Sequence, residues 1–278
     1  MFDSNTGSQS SHFRLPGRVK WPFVPVARLW IVAFCLLLVP YAEATSVAIV
    51  VTSRSILIAA DGIDTKTING VDTFEPYCKV RNQGSVFYTA AGDLSIPELN
   101  FNVWRLAADA VRKSKTMSGI SDRIEQSVLA RLPSVVEHSK VADSANYARW
   151  LTGTPVILIA FASFEKDVPR VVAVSFPLNS RGAILKPIRN KLGGPDVEVD
   201  TGFFGYNERM KAAASPRSAD SWQPKFRKHP VAFIQGLIQL EIDQARRDHR
   251  RDVGPPIAIL KITKTSGAFV AGHRGACP

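Results

Sequence analysis

Cysteine is scarce in this chain, with three in 278 residues: Cys35, Cys78 and Cys277. That count excludes a disulfide-stapled scaffold, and the spacing is not that of a zinc site. The five histidines, His12, His138, His229, His249 and His273, show no metal-ligand spacing, and no serine stands in a nucleophile-elbow motif. Metal-dependent and Ser-His-Asp hydrolysis therefore lack their residues, and no cofactor motif is present. Aromatic residues are few, 9%, and are not interleaved with the basic clusters, so nucleic acid is not an expected partner. The apolar run Leu29 to Val39 is too short to span a bilayer. Charged residues make up only 21%, yet Lys+Arg 35 against Asp+Glu 24 leaves a net charge of +11. With 45% hydrophobic residues the chain can bury a proper core, in one large domain or two small ones.

The front of the chain reads as a processing signal. After Asp3 its charges are basic, Arg14, Arg18, Lys20 and Arg28, and the apolar run that follows ends at Pro40. Ala42-Glu43-Ala44 then places small residues at the two positions a signal peptidase inspects, so cleavage after Ala44 is expected. Residues 1–44 are thus a secretory signal and 45–278 one domain of 234 residues with a net charge of +9, exported to a periplasm or the outside. If the segment stays uncleaved it is a membrane anchor, and membrane contact is confined to it. Cys35 follows Phe34 rather than a small residue and is no lipidation site. An oxidising compartment permits a Cys78–Cys277 disulfide if the fold brings the tail beside the third strand, with free thiols as the alternative.

Val47 to Val51 and Ile56 to Ala60 read as a strand hairpin with Thr52 to Ser55 as its turn. A polar loop with Asn69-Gly70 follows. Lys79-Val80 and Val86 to Ala91 form the next strand pair, around Asn82, Gln83 and Gly84. The period then becomes helical: Leu99, Val103, Leu106, Ala110 and Val111 share one face behind Pro97, and Ile120, Ile124, Val128 and Leu132 mark a second helix. Strands resume at Val156 to Ala162 and Arg170 to Phe176, turning at Glu165-Lys166-Asp167, and continue at Ile184 to Ile188. A short helix spans Tyr206 to Ala213, and a basic exposed loop is expected over Ala214 to Pro230. A helix from Val231 to Arg247 precedes a final hairpin, Ile257 to Ile262 and Ala268 to Ala271. This order is not the alternation of a doubly wound parallel sheet; it suits an α+β fold of antiparallel sheets with helices grouped outside.

A Thr made N-terminal by cleavage carries both a hydroxyl nucleophile and a free amine, whose ordinary pKa of roughly 7.7–8.0 leaves a neutral fraction to act as base. Such a site needs a cation to hold the amine's pKa down, a carboxylate to fix the cation, and a backbone N–H aimed at the oxyanion. Thr45 starts the first strand and Asp61 ends the second, so a hairpin returns both to one end of the sheet. Lys79 opens the third strand, where its ammonium can reach both. Gly92, at the end of the strand before the first long helix, can present its N–H because glycine allows close backbone approach.

Thr45-Ser46-Val47, Ala59-Ala60-Asp61 with Thr65, Lys79-Val80, and Ala91-Gly92-Asp93 before a helix together resemble the front half of proteasome β-type subunits and their exported bacterial relatives, within the N-terminal-nucleophile hydrolases. The resemblance implies a four-layer αββα sandwich over 45–278. It implies Thr45 as nucleophile and amine base, Asp61 and Lys79 as its activating pair, Gly92 as oxyanion donor and Thr65 as a backbone partner for extended substrate. The implied activity is cleavage of amide or peptide bonds through a Thr45 ester, without cofactor or metal. Self-association is a habit of that family which nothing in this chain demonstrates. The second half departs from the family pattern. Gly202-Phe203-Phe204-Gly205 lacks the serine expected between glycines, and Val253-Gly254 takes a Ser-Gly place. Asp248 and Asp252 both remain candidates for the supporting acid. These departures motivate an alternative: a non-catalytic exported protein of the same fold whose basic surface, including Lys225 to Lys228 and Arg246 to Arg251, meets an anionic partner.

Overall fold

The structure, a computed structural model, describes residues 45–68, 71–205, 208–214 and 219–272. The expected signal segment, Cys35, the Asn69-Gly70 pair, Tyr206 and Cys277 lie outside the described residues. Fourteen strands can be named among those described: β1 (Ser46–Thr52), β2 (Ile56–Ala60), β3 (Ile63–Ile68), β4 (Val71–Pro76), β5 (Val80–Gln83), β6 (Val86–Gly92), β7 (Ser95–Ile96), β8 (Phe101–Asn102), β9 (Ile157–Glu165), β10 (Val168–Phe176), β11 (Ile188–Leu192), β12 (Val199–Gly205), β13 (Ala258–Ile262) and β14 (Gly267–Ala271). The helices are α1 (Val103–Arg112), α2 (Met117–Leu129), α3 (Leu132–Ala142), α4 (Ser144–Leu151), α5 (Glu208–Ala213), α6 (Ala219–Lys228) and α7 (Pro230–Arg247).

Two five-stranded antiparallel sheets form the centre, ordered β12-β1-β2-β13-β14 and β11-β10-β9-β6-β5. Their facing sides share one core that includes Val47, Ile49, Ile58, Ala160 and Val171. The outer side of the first sheet packs Ala48, Val50 and Leu57 under α5, α6 and α7. The outer side of the second packs Tyr88, Phe161 and Val174 under α1 to α4. The result is a four-layer αββα sandwich. It also explains why β1 and β2 read as continuous apolar runs: strands central in a sheet covered on both faces have no solvent side. Each such fully buried side chain contributes roughly 1.5–3 kcal/mol.

Several expected boundaries shift for local reasons. The stretch after Asp61 is a hairpin, β3 with β4, in place of a polar loop. The first long helix begins at Val103 and not at Pro97, because Asn100 takes a left-handed conformation (φ 49°) and the Asn102 side chain caps the Arg105 N–H. Leu132 belongs to α3, which opens at Leu132 with Pro133 in its first turn, and not to α2. Ile184 makes only an isolated bridge to Leu178, and the strand lies further on, at Ile188–Leu192. Within the expected basic loop, 219–228 forms α6. It is held because Trp222 and Phe226, one helical turn apart, are buried and Trp222 stacks on Phe233 of α7 with ring centroids 5.5 Å apart. No described helix is long and apolar enough to cross a membrane.

Candidate active site

The β1–β2 hairpin does what the sequence requires of it. Val47 pairs with Ala60, and one residue beyond, the Asp61 N–H donates to the Ser46 carbonyl (3.1 Å) while the Ser46 N–H donates to Asp61 Oδ1 (2.7 Å). On its other side Ser46 is paired with Gly205 of β12. Thr45 is thus carried at the end of a strand pinned from both sides, and it is 9% exposed.

Asp61 ends a strand of one sheet, and Lys79 directly precedes β5 of the other. Lys79 Nζ donates to both carboxylate oxygens, 3.1 Å to Oδ1 and 3.0 Å to Oδ2, so the pair ties the two sheets together. Its side chains are 4% and 0% exposed. Burial pushes the Asp61 carboxyl above its ordinary pKa, opposed by the Lys79 ammonium and by N–H donors from Ser46 and Ile63. The ion pair also bears on the expected action of Lys79 upon the Thr45 amine, because the bound carboxylate offsets part of the ammonium's field.

Gly92 has φ +95°, and a Cβ there would stand 2.2 Å from the Val156 carbonyl oxygen, so only glycine fits. The Asp93 N–H donates to Val156 O (3.0 Å). Gly92 closes β6 in register with Ile157 of β9 on one edge, and the other edge of β6 faces β5. There β5 begins only at Val80, across from Thr89, and no longer covers it. That edge of β6 has no strand partner at Gly92 among the described residues, and Lys79 directly precedes the point where β5 begins to cover it.

Thr45, Lys79, Gly92 and Asp252 line one cleft of ≈ 620 Å³. Asp252 is held by a two-pronged bond from Arg250, Nε to Oδ1 3.1 Å and Nη2 to Oδ2 2.7 Å, with both side chains buried. Asp248 is elsewhere: it is exposed at the C-terminus of α7 and accepts from Gln244 Nε2. Of the two candidate acids, then, Asp252 is in the cleft and Asp248 is not. Thr65 lies on β3 in register with Phe74. Cys78 is disulfide-bonded, with its partner outside the described residues. Among the described residues no group of three His, Cys, Asp or Glu could hold a metal ion.

Most of the cleft's other walls come from residues that belong to none of the sequence motifs. One is aromatic and cationic, Tyr77, Arg81 and Trp104; another comes from α3 and its junction with α4, His138, Ser139 and Asp143. Between them lies Asp93, beside Gly92. Its carboxylate accepts from Asn146 Nδ2 (2.6 Å) and Ser139 Oγ (3.3 Å). Burial, reinforced by the neighbouring Asp143 charge, pushes it up to about 6. The available signal was an Asp between apolar segments directly after a strand-ending glycine.

Solved structures similar to this chain include Anbu proteins. A Gly-1 mutant of Anbu from Hyphomicrobium sp. strain MC1 has 16% identity and a TM-score of 0.43, covering 84% of this chain and 89% of the other. Anbu (ancestral beta-subunit) from Yersinia bercovieri has 10% identity and a TM-score of 0.44, covering 83% and 88%. The helical assembly of the Anbu complex from Pseudomonas aeruginosa has 12% identity and a TM-score of 0.46, with the same coverages of 83% and 88%. No family model matches the sequence, and no curated protein does. The family assignment drawn from motifs, to proteasome β-type subunits and exported relatives, is corrected accordingly: these neighbours are Anbu proteins.

Proposed function

We propose that the chain, after removal of residues 1–44, is an exported hydrolase that cleaves amide bonds, in peptides above all, through a covalent ester on Thr45. The observation that carries this reading is the buried Asp61–Lys79 pair, bound to the residue after Thr45, with Lys79 lining the same cleft as Thr45 and Gly92. The Thr45 amine takes the proton from Oγ1 as Oγ1 bonds to the substrate carbonyl carbon. The Gly92 N–H stabilises the resulting oxyanion. Collapse breaks the carbon–nitrogen bond, and the amine's proton goes to the leaving nitrogen. Water then attacks the ester, its proton returning through the amine to Oγ1. Lys79 disfavours a protonated amine, and Asp61 keeps Lys79 in place. Asp252, held by Arg250, is the supporting acid.

Gly205 favours a second reading. It is the β12 residue beside Ser46 and supplies no hydroxyl to a proton relay, which suits a binding module with the same cleft. Two measurements separate the readings. Mass spectrometry of protein recovered from its host is expected to find Thr45 as the first residue; any other N-terminus leaves the mechanism without a base. A threonine-directed electrophile is expected to add one mass equivalent to the processed protein and none to Thr45→Ala. Absence of that adduct, with salt-sensitive binding to anionic polymers, favours the binding module.

A further inference from the structure

Two cations line the cleft, Lys79 and Arg81, and a third, Arg250, binds the cleft's Asp252 without lining the cleft itself. Lys79 is matched by Asp61 and Arg250 by Asp252, each with its carboxylate at hydrogen-bond distance. Arg81, half-buried on β5 two residues past Lys79, has no carboxylate partner among the described residues. It is nonetheless held firmly. Its guanidinium carbon sits 4.6 Å from the centre of the Trp104 ring and 5.4 Å from that of Tyr77, and Nη2 donates to the Tyr77 hydroxyl.

A guanidinium has five N–H donors in a planar fork that fits a carboxylate with two parallel bonds. One donor is used here among the described residues. The flanking rings fix the plane, so little side-chain freedom remains to be lost when a ligand binds. The same cleft also carries the carboxylates of Asp93 and Asp143, both occupied by hydrogen bonds from Asn146. A substrate carboxylate is repelled there and attracted to Arg81. Cationic and anionic groups in one cleft orient the substrate as well as hold it.

We propose that Arg81 is a specificity-determining residue: it receives a substrate carboxylate next to the scissile amide, so the site prefers acidic peptides. This rests on the hydrolase reading for its consequence in turnover, but not for the binding step. The carboxylate can come from an Asp or Glu side chain or from a free chain terminus, since the chemistry is the same.

The test uses processed protein and peptides that differ only in the residue before the cleaved bond. A charge-assisted bond to a partly desolvated cation contributes about 1.5–3 kcal/mol, so kcat/KM for the Glu peptide is expected to exceed that for the Gln peptide by roughly 10- to 150-fold. Peptides ending in a free acid or an amide, compared in parallel, identify the source of the carboxylate. In Arg81→Gln the Glu/Gln ratio collapses toward one. Arg81→Lys, which keeps the charge but loses the fork and ring stacking, gives an intermediate ratio and serves if Arg81→Gln does not fold. Equal turnover of Glu and Gln peptides, or a preference that survives both substitutions, overturns the proposal while leaving the hydrolase in place. Calorimetric titration of Thr45→Ala with the same peptides reads recognition without turnover. Glu-selective binding lost in Thr45→Ala/Arg81→Gln upholds the assignment even if no peptide is hydrolysed, whereas equal binding of both peptides refutes it.

Discussion

Replacing Lys79 with Met keeps most of the side-chain volume and removes the cation from a carboxylate that is 0% exposed. Asp61 then retains only its N–H donors, from Ser46 at 2.7 Å and Ile63 at 3.4 Å. Leaving one member of a buried ion pair unpaired costs about 3–5 kcal/mol. Typical domain stabilities are about 5–15 kcal/mol, so the variant should show a large fall in urea midpoint, followed by fluorescence of the buried Trp104 and Trp150. The pH dependence supplies the sharper test. Burial raises the Asp61 carboxyl, and the Lys79 ammonium opposes that rise. Without the ammonium the folded-state pKa climbs further above the unfolded value of 3.8. A carboxyl raised on folding binds its proton more tightly in the folded state, so its destabilisation grows as pH rises through the folded value and fades below it. The deficit of Lys79→Met relative to the parent should therefore be smaller at pH 5 than at pH 7.5. Adding Asp61→Asn should return part of the loss, because the amide oxygen still accepts from Ser46 and carries no charge. A deficit under about 1 kcal/mol, or one independent of pH, would refute the view that this pair is what fixes Lys79 beside Thr45.

Asp93, raised from 3.8 to about 6, is a second linked group: its penalty is absent below the unfolded value and builds as pH rises through about 6. It should reach roughly 3 kcal/mol by pH 7.5, and urea titrations of Asp93→Asn across pH 4 to 7.5 should lack that slope. Gly92→Ala puts a Cβ 2.2 Å from the Val156 oxygen at φ +95°, so the N–H must move. Loss of one oxyanion donor is expected to lower kcat by about 10²–10³, measured on protein whose unchanged near-ultraviolet circular dichroism shows it folded. Asp252→Asn should reduce kcat whereas Asp248→Asn, altered at an exposed helix end, should not. Trp222→Ala is expected to cost about 3–5 kcal/mol in urea unfolding, a loss that an exposed loop would not show.

The parts of the fold legible in the sequence were those whose periodicity is set by burial on two sides. β1, β2, β9 and β10 are nearly uniform apolar runs because each sheet is covered above and below. The final hairpin and α7 were legible for a related reason, an apolar face of the expected period next to turn residues. β3, β4 and β12 were not, because Asp, Thr, Lys and Gly interrupt their apolar residues and their strand character comes from pairing. α6 was hidden in the same way, since its charged residues outnumber Trp222 and Phe226, the two that anchor it.

At the site, the division falls between backbone ends and side-chain walls. Thr45, Asp61, Lys79 and Gly92 stand at or directly beside strand ends, and a hairpin register determines where a strand end goes: Val47 opposite Ala60 obliges Asp61 to lie beside Ser46. Such residues can be placed from strand order and turn length alone. Asp252 against Asp248 could not be decided that way, because both follow α7 and only the path of the chain after the helix separates them. The cleft walls are harder still. Tyr77, Arg81 and Trp104 meet from β5, the residues before it and α1, and His138, Ser139 and Asp143 arrive from helices whose boundaries were misread. A nucleophile and its activating pair can be encoded within one hairpin and the strand that follows. Selectivity needs side chains converging from distant segments, which is why the catalytic proposal could be formed on sequence and the Arg81 proposal required the fold.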